Sequence, residues 1–315
     1  MSSPRVSASD LGIFLVLGAV WGGAFLFLRI ASPQVGPLWA AEARIGLAAL
    51  VLIVLFGRRA WPTIRGRLVP FTIVGITFSA IPFSLIAFGS VTLPTGVGAL
   101  LNAATPIFTA LVSAAWIGQK ITGRTALGMG VGVVAVLVLV GWSPLPPGPG
   151  TFLAVAAVLG ATLSYAVAGT YIRRRLHDVP GVELATGQLA IGALALLPVA
   201  FLSGPPGVPG IDGIAALVAA AVVSTALAWP LYFRLLSHTT PMAASTVTFI
   251  VPAFGMLWGA LALSEPIGPG LVAGFGLVIV SLVLVLGLPL PSIATVRARA
   301  SSAFGRGVVT TPTPA

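Results

Sequence analysis

Two charges stand where almost nothing else is charged. Glu42 and Arg44 fall inside an apolar stretch spanning about residues 37–56. A charge held in hydrocarbon costs roughly 2.5–3.5 kcal/mol on insertion scales, so it marks function by default. Two residues apart, the pair is separated by about 200° around a helix. The two side chains do not face each other, and each needs its own partner or a water-filled cavity. One reading gives both a role in handling substrate or protons. The other makes them helix-to-helix salt bridges or lets them snorkel to the headgroups. Arg29, at the end of the preceding apolar run, is within reach of Glu42 and otherwise reads as a membrane-edge anchor.

The uncharged candidates lie in the other apolar runs. Asn102 sits one helical turn before Pro106, and Thr248 one turn before Pro252. A proline removes a backbone donor and frees the carbonyl of the preceding turn. Polar side chains beside that break either bind a solute or repair the helix, and the two prolines are expected hinges. Trp21, Phe83, Tyr165, Trp229 and Tyr232 are candidates to line a cavity for an apolar or aromatic solute. The competing role is lipid contact or the interfacial aromatic belt, which the mid-run positions of Trp21 and Trp229 disfavour. Gln188 is a further polar residue in an apolar run and completes the candidate substrate-binding set.

Other chemistries find little here. No apolar run contains histidine, and the one aspartate in such a run, Asp212, is at its end; Ser224, Thr225, Ser245 and Thr246 have no base nearby in sequence. No catalytic residue, no metal ligand set and no cofactor is therefore expected. The chain has no cysteine, which excludes disulfides and Cys-ligated metals. No G-x-x-x-x-G-K loop is present to bind ATP. His177 and His238 read as solvated loop residues. A net charge of +10 is no nucleic-acid signal, because the arginines form short clusters between apolar runs rather than a basic face.

These side chains need helices in a bilayer to position them. Charged residues are 7% of the 315 and hydrophobic ones 57%, whereas soluble proteins carry about 25% charge. A span needs about 20 mostly apolar residues. Ten are readable, at roughly 11–31, 37–56, 68–89, 95–117, 125–142, 151–172, 181–202, 211–233, 242–263 and 269–289. The first run is longer than the apolar core of a signal peptide, about 7–15 residues. Pro/Gly-rich segments at 143–150, 203–210 and 264–270 punctuate the later ones. With the N-terminus in the cytoplasm, 14 of the 16 basic residues fall in inner segments and none in outer loops. The two left over are Arg29 and Arg44. Cytoplasmic loops carry the Lys/Arg excess, so the expected place is the cytoplasmic (inner) cell membrane with both termini cytoplasmic.

The chain also repeats itself. Residues 95–140, shifted by 146, lie on 241–286 without gaps and bring Pro106 onto Pro252, Gly128 onto Gly274 and Gly130 onto Gly276. Shifts of 142 to 144 align earlier positions, among them Arg44 with Gln188. The expected fold is an all-α integral membrane protein of ten transmembrane helices in two inverted five-helix repeats, 1–142 and 151–290. A basic Pro/Thr-rich cytoplasmic tail, 291–315, is expected to be disordered. Five spans per repeat is an odd number, so the halves enter from opposite sides, a common plan for secondary transporters. Gly128-x-x-x-Gly132 and Gly270-x-x-x-Gly274 read as close-packing faces, and a homodimer built on such faces is a further expectation.

Val20-Trp21-Gly22-Gly23 with Arg29, Ala43-Arg44-Ile45, Ala104-Thr105-Pro106-Ile107-Phe108, Tyr232-Phe233-Arg234, and Ile250-Val251-Pro252 followed by Gly259-Ala260 and Ser264-Glu265-Pro266 are the recognisable pieces. In that order and spacing they resemble the EamA-type transporters of the drug/metabolite transporter superfamily, over about residues 11–289. The resemblance implies a ten-helix transporter that exports amino acids, other metabolites or drugs through a central cavity lined mainly by spans other than 5 and 10. Two positions depart from the family pattern. Gln119 stands where the first half usually has an acid matching Glu265, and Leu163-Ser164-Tyr165 stands where a tryptophan is common. The expected function is a secondary transporter moving a small organic metabolite (an amino acid or similar, outward) by alternating access. The partners are a small-molecule substrate and the lipid bilayer. A passive channel or facilitator is the alternative, and an intramembrane enzyme a more distant one.

Overall fold

The computed structural model describes residues 8–143, 145, 148–238 and 247–287, without the side chains of 8–10, 233, 236–238 and 248. Every regular element among them is helical. Eight helices are long and apolar enough to cross a bilayer, and two shorter apolar helices follow. The expected tail at 291–315 and the start of span 9 at 242 lie outside the described residues.

In chain order the rods are α1 (Ala8–Val35), α2 (Pro37–Gly66), α3 (Leu68–Thr92), α4 (Thr95–Ile117) and α5 (Gly123–Trp142). There follow α6 (Pro149–Arg175), α7 (Gly181–Leu202), α8 (211–238), α9 (Val247–Leu263) and α10 (Pro269–Val285). Prolines open several of them, at positions where the missing N–H has no intrahelical partner to lose. α2 runs ten residues beyond the apolar stretch that ends at 56, because its last turns carry arginines outward to polar partners instead of ending at the hydrocarbon edge.

Three rods are irregular. α3 contains a π-helical segment, Gly75–Ala80, and α8 another, Ala219–Leu227. α4 is broken between Asn102 and Thr105. Pro106 has no N–H to give the Asn102 carbonyl, and the Thr105 hydroxyl donates to it instead, at 2.7 Å. The proline then sits in the first turn of the new segment, where it costs little. Pro252, by contrast, lies inside α9.

Packing puts α1 along α9, α3 along α6, α2 along α7, α5 along α10 and α4 across α9. Leucine, valine and phenylalanine side chains such as Val54, Leu137, Leu194 and Phe201 cover the outside, as a lipid-facing surface requires. Both GxxxG faces are consumed where α5 meets α10. A Cβ on Gly128 would lie 2.9 Å from the Val285 backbone nitrogen, and one on Gly270 2.5 Å from the Trp142 carbonyl carbon.

Candidate functional site

A cavity of about 260 Å³ lies where α1, α2, α3, α4, α6, α8 and α9 converge. Trp21 and Phe25 come from α1, Arg44 from α2, Phe78 and Phe83 from α3, Asn102 from α4, Tyr165 from α6, Ser224, Thr225 and Trp229 from α8, and Val251 from α9. The aromatic rings interlock. Trp21 meets Trp229 edge-on at 6.3 Å between centroids, Phe78 meets Tyr165 at 5.1 Å and Trp229 at 5.9 Å, and Phe83 meets Tyr165 at 6.4 Å. Tyr232 does not line the cavity but packs behind it, 5.4 Å from Trp21 and 6.1 Å from Trp229.

Arg44 supplies the charge in this wall. Its Nε donates to Thr225 Oγ1 at 3.0 Å, and its guanidinium carbon lies 4.3 Å from the centre of the Phe83 ring. The Thr225 hydroxyl is itself turned to the Ala220 carbonyl five residues back, at 2.8 Å, the spacing a π turn leaves open. Ser224 donates to the Val20 carbonyl at 2.8 Å and ties α8 to α1. Asn102 Oδ1 has no hydrogen-bond partner. Asn102 is one of the polar residues of the wall.

Of the ten residues singled out in the sequence, six line this cavity: Trp21, Arg44, Phe83, Asn102, Tyr165 and Trp229. Glu42 does not. It is buried on a different face of α2, with Oε2 unpaired and Oε1 beside Gly46, as its angular offset from Arg44 requires. Gln188 does not either; it is buried on α7, where its backbone oxygen abuts Gly75 of α3. The Thr248 side chain lies outside the described residues. Arg29 does not pair with Glu42. Its Nε lies 3.7 Å from Glu265 Oε1, and Nη1 donates to the carbonyls of Ser90 and Val91. Phe25, Phe78 and Thr225 were not among the sequence candidates. Phe78 sits in the π segment, where a regular helical period no longer tells which face a residue takes.

Three of the helices that line the cavity pack backbone against backbone. A Cβ on Gly22 of α1 would fall 2.8 Å from the Gly255 backbone nitrogen, and one on Gly255 would fall 2.6 Å from Ala99 Cβ. Only glycine permits α1, α4 and α9 to approach so closely. Beyond that contact Glu265 closes the rim. Its Oε2 accepts from the Thr95 amide at 2.8 Å and its Oε1 from the Thr95 hydroxyl at 3.2 Å.

Each half of the chain, over residues 10–141 and again over 152–287, matches the description of the EamA-like transporter family. The chain belongs to that family. Members similar to this one include Protein PecM of Dickeya dadantii (strain 3937), 26% identical over 269 residues that span 84% of this chain and 88% of PecM. Another is the uncharacterized transporter YoaV of Bacillus subtilis (strain 168), 22% identical over 268 residues, 84% of this chain and 91% of YoaV. A probable terminal-alkyne amino-acid exporter of Streptantibioticus cattleyicolor is 26% identical over 188 residues, 58% of this chain and 62% of that protein. A crystal structure with a TM-score of 0.60 and 17% identity covers 93% of this chain and 98% of its own, and shows the same fold. As an EamA-like protein the chain is a multi-pass membrane protein of a transporter family.

Proposed function

We propose that this EamA-like protein is a secondary transporter that carries a small organic metabolite of amino-acid size outward across the cytoplasmic membrane by alternating access. It has ten spans in two inverted five-helix repeats, 1–142 and 151–290, with both termini in the cytoplasm. The observation that carries the reading is the position of the cavity. Its wall draws Trp21, Arg44, Phe83 and Asn102 from the first half, and Tyr165, Thr225, Trp229 and Val251 from the second. Substrate sites of inverted-repeat transporters lie at that junction, near the midplane.

The helix contacts support the repeat. Exchanging each helix with the one five places along maps α1 against α9 onto α6 against α4, and α3 against α6 onto α8 against α1, and all four contacts exist. The π segments of α3 and α8 are exchanged as well. The amino-acid exporter among its relatives favours outward movement. The break in α4 at Asn102–Thr105, with Pro106 just beyond, serves as one hinge, and Pro252 marks the place of the other. Trp21, Arg44, Phe83, Asn102, Tyr165 and Trp229 hold the solute, with Tyr232 backing the tryptophans.

The test locks α4 to α9 beside the glycine contact. Thr95→Cys with Gly259→Cys, in full-length protein reconstituted into vesicles, joins α4 to α9 on oxidation, and the chain has no cysteine of its own. Transport of the cell's solutes should stop on crosslinking and return on reduction. Flux that continues through the crosslinked protein would make it a channel.

A further inference from the structure

Arg44 is a buried cation without an anion. The described residues contain three ion pairs, Arg29–Glu265, Arg59–Glu183 and Arg67–Asp178, and Arg44 takes part in none. It is only 7% exposed. Its Nε is committed to Thr225, and no hydrogen bond among the described residues uses its two Nη nitrogens. A buried charge with no counter-charge is costly and normally persists only when paired. Glu42, the nearest acid in sequence, projects to another face of α2 and does not line the cavity. Among the described residues the cavity wall contains no carboxylate.

The rest of the wall completes the description of an occupant. Six aromatic side chains, Trp21, Phe25, Phe78, Phe83, Tyr165 and Trp229, line the cavity with Arg44, and the Phe83 ring lies against the guanidinium. The volume, near 260 Å³, is just under the roughly 300–1,000 Å³ typical of small-ligand pockets and suits one or two rings. Asn102 adds one amide side chain to this wall. Resting on the transport reading above, we infer that the cavity takes an aromatic carboxylic acid without an α-ammonium group. Its carboxylate pairs with the free side of the Arg44 fork, and its ring lies among the aromatic side chains. An α-ammonium would be tethered beside its own carboxylate, and so beside the guanidinium. No acid in the wall offsets that repulsion, and this sets the acid above the zwitterionic amino acid.

Four probes that share one ring test this on the full-length protein in detergent, by calorimetry: indole-3-propionate, its neutral amide, tryptamine and tryptophan. Indole-3-propionate should bind tightest, with tryptophan and the amide about tenfold weaker or more, and tryptamine weakest. Arg44→Gln should lower affinity for the acid by roughly 30-fold or more and leave the amide unchanged. Arg44→Lys should retain part of the acid's advantage, since a point charge replaces the bidentate fork. If Arg44→Gln does not fold, the ranking on the unmodified protein decides. Tryptamine or tryptophan binding as tightly as the acid overturns the inference. So does acid affinity unchanged in Arg44→Gln, or no binding by any of the four. Uptake of labelled probes into vesicles separates the two readings. An acid that binds through Arg44 but never crosses would sink the transporter and keep the site. Preferential transport of tryptamine would keep the transporter and sink the site.

Discussion

The two halves end spans 4 and 9 in the same way and then use those ends differently. Gly118 and Ser264, related by the shift of 146, both take positive φ, 68° and 54°. The next amides, of Gln119 and Glu265, both donate back six residues, to Ser113 at 3.2 Å and Gly259 at 3.1 Å. The backbone device is the same, but the side chain it presents is not. Glu265 turns in and gathers the Thr95 amide, the Thr95 hydroxyl and Arg29. At the other rim Gln119 is exposed. Arg173, which corresponds to Arg29 by the shift of 144, instead donates to the Ser113 hydroxyl at 2.5 Å. At this pair of positions a carboxylate gathers several donors in one half, and a hydroxyl takes the arginine in the other. Two helix ends that are equal in backbone thus differ in the side-chain contacts they make.

The comparison can be broken most forcefully at the glycine seam. Gly255→Val would force a side chain into Ala99, and overpacking of this kind costs about 1–3 kcal/mol or more. We expect a lower melting temperature and faster thiol labelling of a cysteine at Thr95. Unchanged labelling would mean the seam does not hold the rim. Glu265→Ala comes next, leaving the Thr95 amide without its acceptor at a cost of about 1–3 kcal/mol. Glu265→Gln keeps an acceptor and should do less harm, and equal losses in the two would show that charge rather than hydrogen bonding closes this rim. Gln119→Glu sharpens the comparison from the other side. It should draw Arg173 into an ion pair and slow labelling at the Arg173 rim, with little change in melting temperature, as is usual for exposed pairs.

The smallest effect is in pH. Burial pushes the Glu265 carboxyl above its ordinary value, against the pull of Thr95 and Arg29. A carboxyl raised on folding favours the folded state when protonated, so thermal stability should fall as pH rises through the range just above the ordinary carboxylate value. Asp178 has the opposite sign. Hydrogen bonds from Arg67, at 2.7 and 2.5 Å, hold it down at about 2. Its contribution is complete above the ordinary value of 3.8 and is lost as pH falls toward 2. Melting curves of Glu265→Gln and Asp178→Asn should each lose one of these slopes, and a variant that keeps its slope would assign it to another group.

The helices were legible because hydrocarbon thickness sets one length for every span. Of the six lining residues, Arg44 and Asn102 were legible because mid-span charge and polarity have few other uses, and Trp21 and Trp229 because their mid-span places disfavour the aromatic belt. The failures have a physical cause too. Interior and lipid are both apolar, so a span carries no hydrophobic period that says which face looks inward. Glu42 and Arg44 looked equally good from the sequence, yet the helix can turn only one of them to the cavity. Gln188, aligned with Arg44 by the repeat, sits against α3 instead. The Arg29–Glu265 contact joins residues 236 apart in number, and nothing local announces it. Thr225 read as a hydroxyl without a base, and its use is to hold Arg44.

The π segment at Gly75–Ala80 changes how insertions and deletions in this chain should be counted. A π turn bonds each amide one residue farther back than an α turn, so the segment holds one residue more than the helix needs. Deleting one residue there would let the turn close as ordinary α-helix with its backbone bonds intact. The helix from Ile81 to Thr92 would keep its faces, because the wide turn already absorbs the extra residue, and Phe83 and Ile86 would stay in the cavity. The same deletion in a regular stretch of the helix would swing everything beyond it by about 100° around the axis. A single-codon gap is thus best tolerated at this point, where it alters no side chain of the wall and turns none of them away.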